Sequence, residues 1–333
     1  MSQPLVSVLI PVYQVEEYIE RCARSVFEQT YPNLEYVFVD DGTPDASIQI
    51  LQNVLTDYPK RRDSIRIIRH ELNKGLATAR NTAINACKGN FIFHVDADDW
   101  VEPDAVDILM RRQQETDADI ISAEAYDHKE NNITKHLTGG WNLNKKDLLV
   151  GILTYKVSTT VWRRLIRKKL YTDNNIRCNE RGSGGEDFQV LPRLIYYAEK
   201  VAGVEDCIYH YNLSNIHSIT NNVPYSIESQ IQGLVSVRTI VHFFSDKEKY
   251  LRELVEGLDV KYMHFRMRQN AEISNKEAYL VFLNYMRKSD PVNWCYVRWD
   301  NPLIRYMESN YYSIKTLMQL RRLKSLMKIH NSK

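Results

Sequence analysis

The stretch LVSVLIPV, residues 5–12, is continuously apolar and rich in β-branched side chains. That is the composition of a strand buried on both faces. After it, Tyr18, Ile19, Cys22, Val26 and Phe27 recur at three- and four-residue spacing, which predicts a helix. The helix ends near Tyr31-Pro32, because proline disfavours the helical conformation of its predecessor. YVFVDDG (36–42) reads as a second buried strand and is followed by a helix led by Asp45. IRIIRH (65–70) predicts a third strand, GLATARNTAINAC (75–87) a third helix and NFIFHVD (90–96) a fourth strand. Strands alternating with helices imply βαβ units and a mostly parallel sheet.

In such sheets ligands collect beyond the carboxyl ends of the strands. Two of these ends carry acid clusters, VDDG at 39–42 and VDADD at 95–99, so both point into one crevice. Clustered carboxylates repel one another and resist desolvation without a counter-charge. One reading is a solvated helix start, with Asp99 or Asp104 as N-cap and Pro103 in the first turn. The other is a divalent cation, Mg²⁺ or Mn²⁺, which prefers carboxylate oxygens and shares them with substrate phosphates. A second acid pair at the equivalent end of another strand favours the cation.

The third helix supplies a separate clue. Leu76, Ala79, Ala83, Ala86 and Cys87 define its apolar face, and Arg80 falls inside that arc. A guanidinium on a buried face needs a partner, and Asp41 and Asp96 are the available strand-end carboxylates. The same position also allows a nucleotide contact.

Composition narrows the function classes. With 44 Lys+Arg against 42 Asp+Glu in 333 residues, the chain is not one built mainly to coat nucleic acid. Five cysteines, Cys22, Cys87, Cys178, Cys207 and Cys295, contain no C-x-x-C pair and read as reduced thiols of a cytoplasmic protein. No apolar run reaches the length of a membrane span. The segment 313–333, SIKTLMQLRRLKSLMKIHNSK, mixes leucines and methionines with six basic residues and no acid. It is a candidate for peripheral contact with an anionic membrane, or for packing on the chain or a second subunit.

Taken together, VSVLIPVYQVEEYIERCARSVFEQTYPNLEYVFVDDGTPD, NKGLATARNTAINACKGNFIFHVDADDW and GGEDFQV resemble the family 2 glycosyltransferases, inverting enzymes of the A-type glycosyltransferase fold that use nucleotide-diphospho-sugars. The resemblance implies that Pro11, Tyr13 and Asp41 hold the nucleobase, Tyr13 by stacking and Asp41 by accepting from a ring N–H. It implies that Asp96 approaches the ribose and Asp98 binds the metal bridging the diphosphate, leaving Asp99 a supporting role. Asp187, the aspartate of GGED, resembles the general base; the alternative is that Glu186 and Asp187 only complement a helix N-terminus. Pro192 predicts that this helix is kinked or restarted. His217 is a candidate third metal ligand. Arg163 and Arg164, with Lys168 and Lys169, read as a solvated basic face before a phosphate contact, and Trp162 as core packing or a lining of the acceptor pocket.

The expected architecture is therefore an α/β catalytic domain over 1–220 and a helical C-terminal region over 221–333. Within the first, 1–120 is the nucleotide-binding half and 121–220 the acceptor-side half. The expected activity is metal-dependent transfer of a sugar, from a UDP-sugar before other donors, to a hydroxyl of a glycan or lipid-linked acceptor of a bacterial surface polysaccharide. Two other readings remain: a nucleotidylyltransferase, for which PVYQVEEYIERC lacks the glycine-rich basic loop, and a non-catalytic sugar-binding domain of the same fold.

Overall fold

The computed structural model describes residues 3–130, 132–137, 139–179, 185–215, 218, 226–272, 275, 277–278 and 280–281. His217, Gly184, Cys295 and the basic segment 313–333 lie outside the described residues. The chain divides into two compact units, Met1–Asn221 and Asn222–Lys333.

In the first unit β1 (Val6–Val12), β2 (Leu34–Asp40), β3 (Ile65–Arg69) and β4 (Phe91–His94) alternate with α1 (Ile19–Phe27), α2 (Ser47–Leu55) and α3 (Leu76–Ala86). There follow β5 (Trp100–Val101), α4 (Ala105–Thr116), β6 (Ile120–Lys129), β7 (Asn132–His136) and α5 (Lys145–Leu153). The unit continues through β8 (Arg164–Arg167), α6 (Lys169–Asp173), α7 (Glu186–Tyr197) and β9 (Val201–Asn212).

One nine-stranded sheet runs in the order β3-β2-β1-β4-β8-β6-β9-β5, with β7 added to β6. Strands β1 to β4 are mutually parallel, as the βαβ alternation predicts, with Val6 opposite Leu34 on one side and Phe91 on the other. β8 is antiparallel to both β4 and β6 and joins the regular half to the second half. The chain leaves β1 toward β2 and returns to β4 on the opposite side. The crevice above the carboxyl ends of β1 and β4 is therefore the topological switch point, where ligands bind in open α/β sheets.

β1 and β2 are almost wholly buried, and α1 packs Ile19, Cys22, Val26 and Phe27 against them. Their buried polar side chains are Ser7, Glu35 and, at the end of β2, Asp40. Glu35 Oε1 accepts from Ser7 Oγ at 2.6 Å, from Gly89 N at 2.9 Å and from Lys88 N, while Oε2 pairs with Arg66 at 3.0 Å. One buried carboxylate thus ties β1, β2, β3 and the turn into β4 at the sheet end remote from the acid clusters.

Three expectations are corrected. α7 is one unbroken helix through Pro192. The missing N–H of Pro192 does not stop it because Val190, Leu191, Leu194 and Ile195 bury on either side. α4 has Asp104 at its N-cap position, yet neither Asp104 nor Asp99 makes a side-chain cap bond there. Finally, Arg163 and Arg164 are no solvated face: both are fully buried, because β8 is an interior strand.

In the second unit α8 (Ile227–Phe244), α9 (Lys249–Val255) and α10 (Leu258–Glu272) pack together. Ser226 Oγ caps α8 by accepting from Ser229 N at 3.1 Å. Gln230 and Asn270, both fully buried, exchange amide hydrogen bonds at 3.0 and 2.7 Å. No helix among the described residues is long and apolar enough to cross a membrane.

Replacing Glu35 with leucine removes the acceptor of the Lys88 N–H and the carboxylate partner of Arg66, and leaves the Gly89 N–H only Ser7 Oγ. We expect Glu35→Leu to lower the urea-unfolding free energy by roughly 2–4 kcal/mol, and an unchanged urea midpoint would contradict this account of the sheet.

Candidate active site

The strand ends deliver the acids as the sequence predicts, and the structure gives each a different environment. Asp41 follows β2 directly, and its main-chain N–H donates to Val12 O at 3.0 Å, so Pro11, Tyr13 and Asp41 share one end of the β1–β2 pair. The Tyr13 ring is exposed, whereas Asp41 is buried. Asp41 Oδ1 accepts from His70 Nδ1 at 2.6 Å and Lys74 N at 2.9 Å, and Oδ2 from Gly75 N at 2.8 Å. One lone pair of Oδ2 is thereby left for a further donor. His70 is held from behind by Thr82 Oγ1 at 3.0 Å. Gly42 is required here: its φ is +68°, and a Cβ would meet the Leu72 carbonyl carbon at 2.7 Å.

Arg80 is buried on α3, as its place in the apolar arc predicts, and it pairs with Asp96 rather than Asp41. Its Nη2 donates to Asp96 Oδ1 at 2.8 Å, while Nη1 reaches Glu186 Oε1 at 3.2 Å and Asp187 Oδ1. One guanidinium therefore joins the end of β4 to the first turn of α7, 106 and 107 residues away in the chain. Beneath it His94 is fully buried, and burial together with the Arg80 charge pushes its pKa down to about 3, so it stays neutral.

Asp187 Oδ2 accepts from Val161 N at 3.2 Å. Burial holds its carboxyl above the usual carboxylate range, against the opposing pull of Arg80. This is the desolvation that a base at a helix N-terminus requires to recover basicity.

The remaining acids separate cleanly. Asp99 is fully buried and accepts from Tyr209 Oη at 2.7 Å and Asn212 N at 2.8 Å. The same Tyr209 hydroxyl accepts from Asp96 N at 3.0 Å, so β9 fixes the turn that carries the acids. Asp98 is half-buried and accepts from the Asn215 amide at 2.8 Å. Among the described residues no Lys, Arg or His lies within ion-pair distance of it. Burial, then repulsion from Asp96, raises its pKa to about 6. A carboxylate kept from proton-rich solvent without a cation of its own has the donor chemistry of a metal ligand. No group of three or more such ligands occurs among the described residues. His217, lying outside the described residues, is placed neither near Asp98 nor away from it.

Trp162 is buried and stacks on Tyr209 at 4.5 Å and Tyr211 at 5.1 Å. Sequence reading missed Tyr209, Asn212 and Asn215, and also His70. The alternation in CIYHYN carries a signal for Tyr209, whose inward-facing hydroxyl needs a partner; the other three follow only from strand placement.

Residues 7–174, about half of the chain, match the family model for glycosyl transferase family 2. The chain is 33% identical over 228 residues to the uncharacterized glycosyltransferase EpsJ of Bacillus subtilis strain 168, spanning 67% of this chain and 64% of that protein. In fold it is similar to S. aureus TarS 1–349 in complex with UDP-GlcNAc, with a TM-score of 0.72 at 16% identity over 96% of this chain and 92% of that one. It is also similar to the mannosyltransferase PcManGT from Pyrobaculum calidifontis in complex with GDP-Man and Mn²⁺, with a TM-score of 0.55 at 14% identity over 98% and 88% of the two chains. A parallel β3-β2-β1-β4 core, strand-end acids around one crevice and the matching family model together identify the chain as a member of glycosyl transferase family 2.

Proposed function

We propose that the protein is a metal-dependent inverting glycosyltransferase that moves a sugar from a nucleotide-diphospho-sugar, a UDP-sugar before other donors, to a hydroxyl of a glycan or lipid-linked acceptor of a surface polysaccharide. The observation that carries the reading is the Arg80 junction. It holds the donor-side acid Asp96 and the candidate base Asp187 on opposite sides of one guanidinium, with Asp98 two residues from Asp96 and, among the described residues, without an ion-pair partner. The donors named for TarS and PcManGT, UDP-GlcNAc and GDP-Man, support a nucleotide-sugar, and the Mn²⁺ of the latter supports a divalent ion.

In this reading residues 1–120 serve the donor and 121–220 the acceptor. The nucleobase lies against Pro11 and Tyr13, with a ring N–H donating to the remaining lone pair of Asp41. Asp96 meets the ribose, and Arg80 keeps it oriented. Asp98, with substrate phosphate oxygens, would hold Mg²⁺ or Mn²⁺, which when bound neutralises charge on the departing diphosphate. Asp187 accepts the proton of the acceptor hydroxyl as that oxygen bonds to the anomeric carbon and the bond to the diphosphate breaks. Glu186 shares Arg80 and leaves Asp187 the less neutralised for doing so.

Titration calorimetry with UDP, GDP and dTDP, with and without Mn²⁺, tests the donor side: binding of UDP strengthened by Mn²⁺ is expected, and the gain should vanish in Asp98→Asn. Absence of metal-dependent binding for all three nucleotides would refute the transferase reading. Asp187→Asn should keep nucleotide affinity and lose turnover by about 10²–10⁴-fold. Because the base acts ionised and its pKa is raised, kcat/KM should fall as pH drops through a midpoint above the ordinary carboxylate value of about 4. A midpoint at that ordinary value would remove Asp187 from the role.

A further inference from the structure

The Asp187 carboxylate is held from two sides, by Arg80 and by the Val161 N–H, and the second of these depends on a residue that no reading of the site has used. Arg164 opens β8 and is fully buried. Among the described residues it has no carboxylate within ion-pair distance, and its Nε has no hydrogen-bond partner. Its terminal nitrogens go to main-chain oxygens: Nη1 to Thr160 O, and Nη2 to Ser158 O at 3.1 Å and Gly139 O at 3.2 Å.

Two of these carbonyls belong to the segment that reaches the base, and the third, Gly139 O, to a segment packed on β6. Ser158 and Thr160 form the turn that ends in Val161, whose N–H donates to Asp187 Oδ2 at 3.2 Å. Gly139 is gripped from its other side by the buried Glu124, whose Oε2 accepts its N–H at 2.9 Å. A Cβ at Gly139 would lie 2.4 Å from Ala123 O, so that segment presses directly on β6. Burying an unpaired guanidinium is costly, and an apolar side chain at the start of an interior strand packs without that cost. A planar fork that gathers three carbonyls is something only arginine supplies.

We infer that Arg164 is a positioning residue for Asp187: it locks the 158–161 turn so that the Val161 N–H orients the carboxylate, and it places a fixed positive charge behind the base. The inference rests on Asp187 being the base. Charges from Arg80, Glu186, Asp96 and Arg164 all act on that carboxylate; Arg80 touches it directly, and Arg164 is linked to it through the main chain of 158–161.

The test is steady-state kinetics of the full chain bearing Arg164→Met and Arg164→Lys, alongside wild type and Asp187→Asn. For Arg164→Met we expect kcat to fall roughly ten- to hundredfold, UDP affinity by calorimetry to stay within about threefold, and the acid limb of kcat/KM to move to higher pH. Arg164→Lys, which keeps the charge and loses the fork, should leave the acid limb in place with kcat still reduced. The inference is overturned if folded Arg164→Met keeps wild-type kcat and an unmoved acid limb, or if its lost turnover only follows lost UDP affinity. Should Arg164→Met not fold, Arg164→Lys decides: wild-type kcat overturns the inference, and reduced kcat at wild-type melting temperature and UDP affinity supports it. An active Asp187→Asn variant would instead sink the parent assignment of the base.

Discussion

The Arg80 guanidinium is the interaction on which the site depends. It is almost fully buried yet reaches three carboxylates, Asp96, Glu186 and Asp187. The dependence is mutual. Without Arg80 the two ends of the crevice would present like charges in a desolvated space, and without those acids a helix could not carry a guanidinium on its buried face. The planar fork matters as much as the charge, since its two terminal nitrogens serve opposite sides of the crevice. This contact and the Val161 N–H dock the first turn of α7 at the site.

The same economy governs DADD. Three carboxylates within four positions are tolerable because no two have the same partner: Asp96 takes a cation, Asp99 takes a tyrosine hydroxyl and a main-chain N–H from β9, and Asp98 takes one amide. Tyr209 bridges two of them, accepting from Asp96 N and donating to Asp99. β9 thus supplies the polar floor of the turn that carries Asp96, Asp98 and Asp99.

Much of this was readable in the chain. The period and composition of LVSVLIPV, YVFVDDG and NFIFHVD gave the parallel strands, and the acids at their ends marked the crevice. The arc of α3 singled out Arg80 as buried and in need of a carboxylate. Reading failed where charge pattern was taken as exposure. VWRRLIRKKL looks like a basic surface, but Arg163 and Arg164 are interior because β8 is enclosed between β4 and β6. Pro192 was read as a break, yet apolar burial on both sides of it carries α7 through.

Sequence by itself determined the local order: which segments are strands, which helix face is buried, and that carboxylates gather at the ends of β2 and β4. These follow from side-chain periodicity, which acts over a few residues. Only the tertiary structure decided which acid pairs with an arginine, which is held by an amide alone and which carboxyl is desolvated beside a guanidinium. Those choices are made by Tyr209, Asn215, Glu186 and Val161, each more than 60 residues from the acid or arginine it touches or, for Val161, 26. Electrostatic identity depends on distance in space and on exclusion of water, and neither is written into the spacing of residues along the chain.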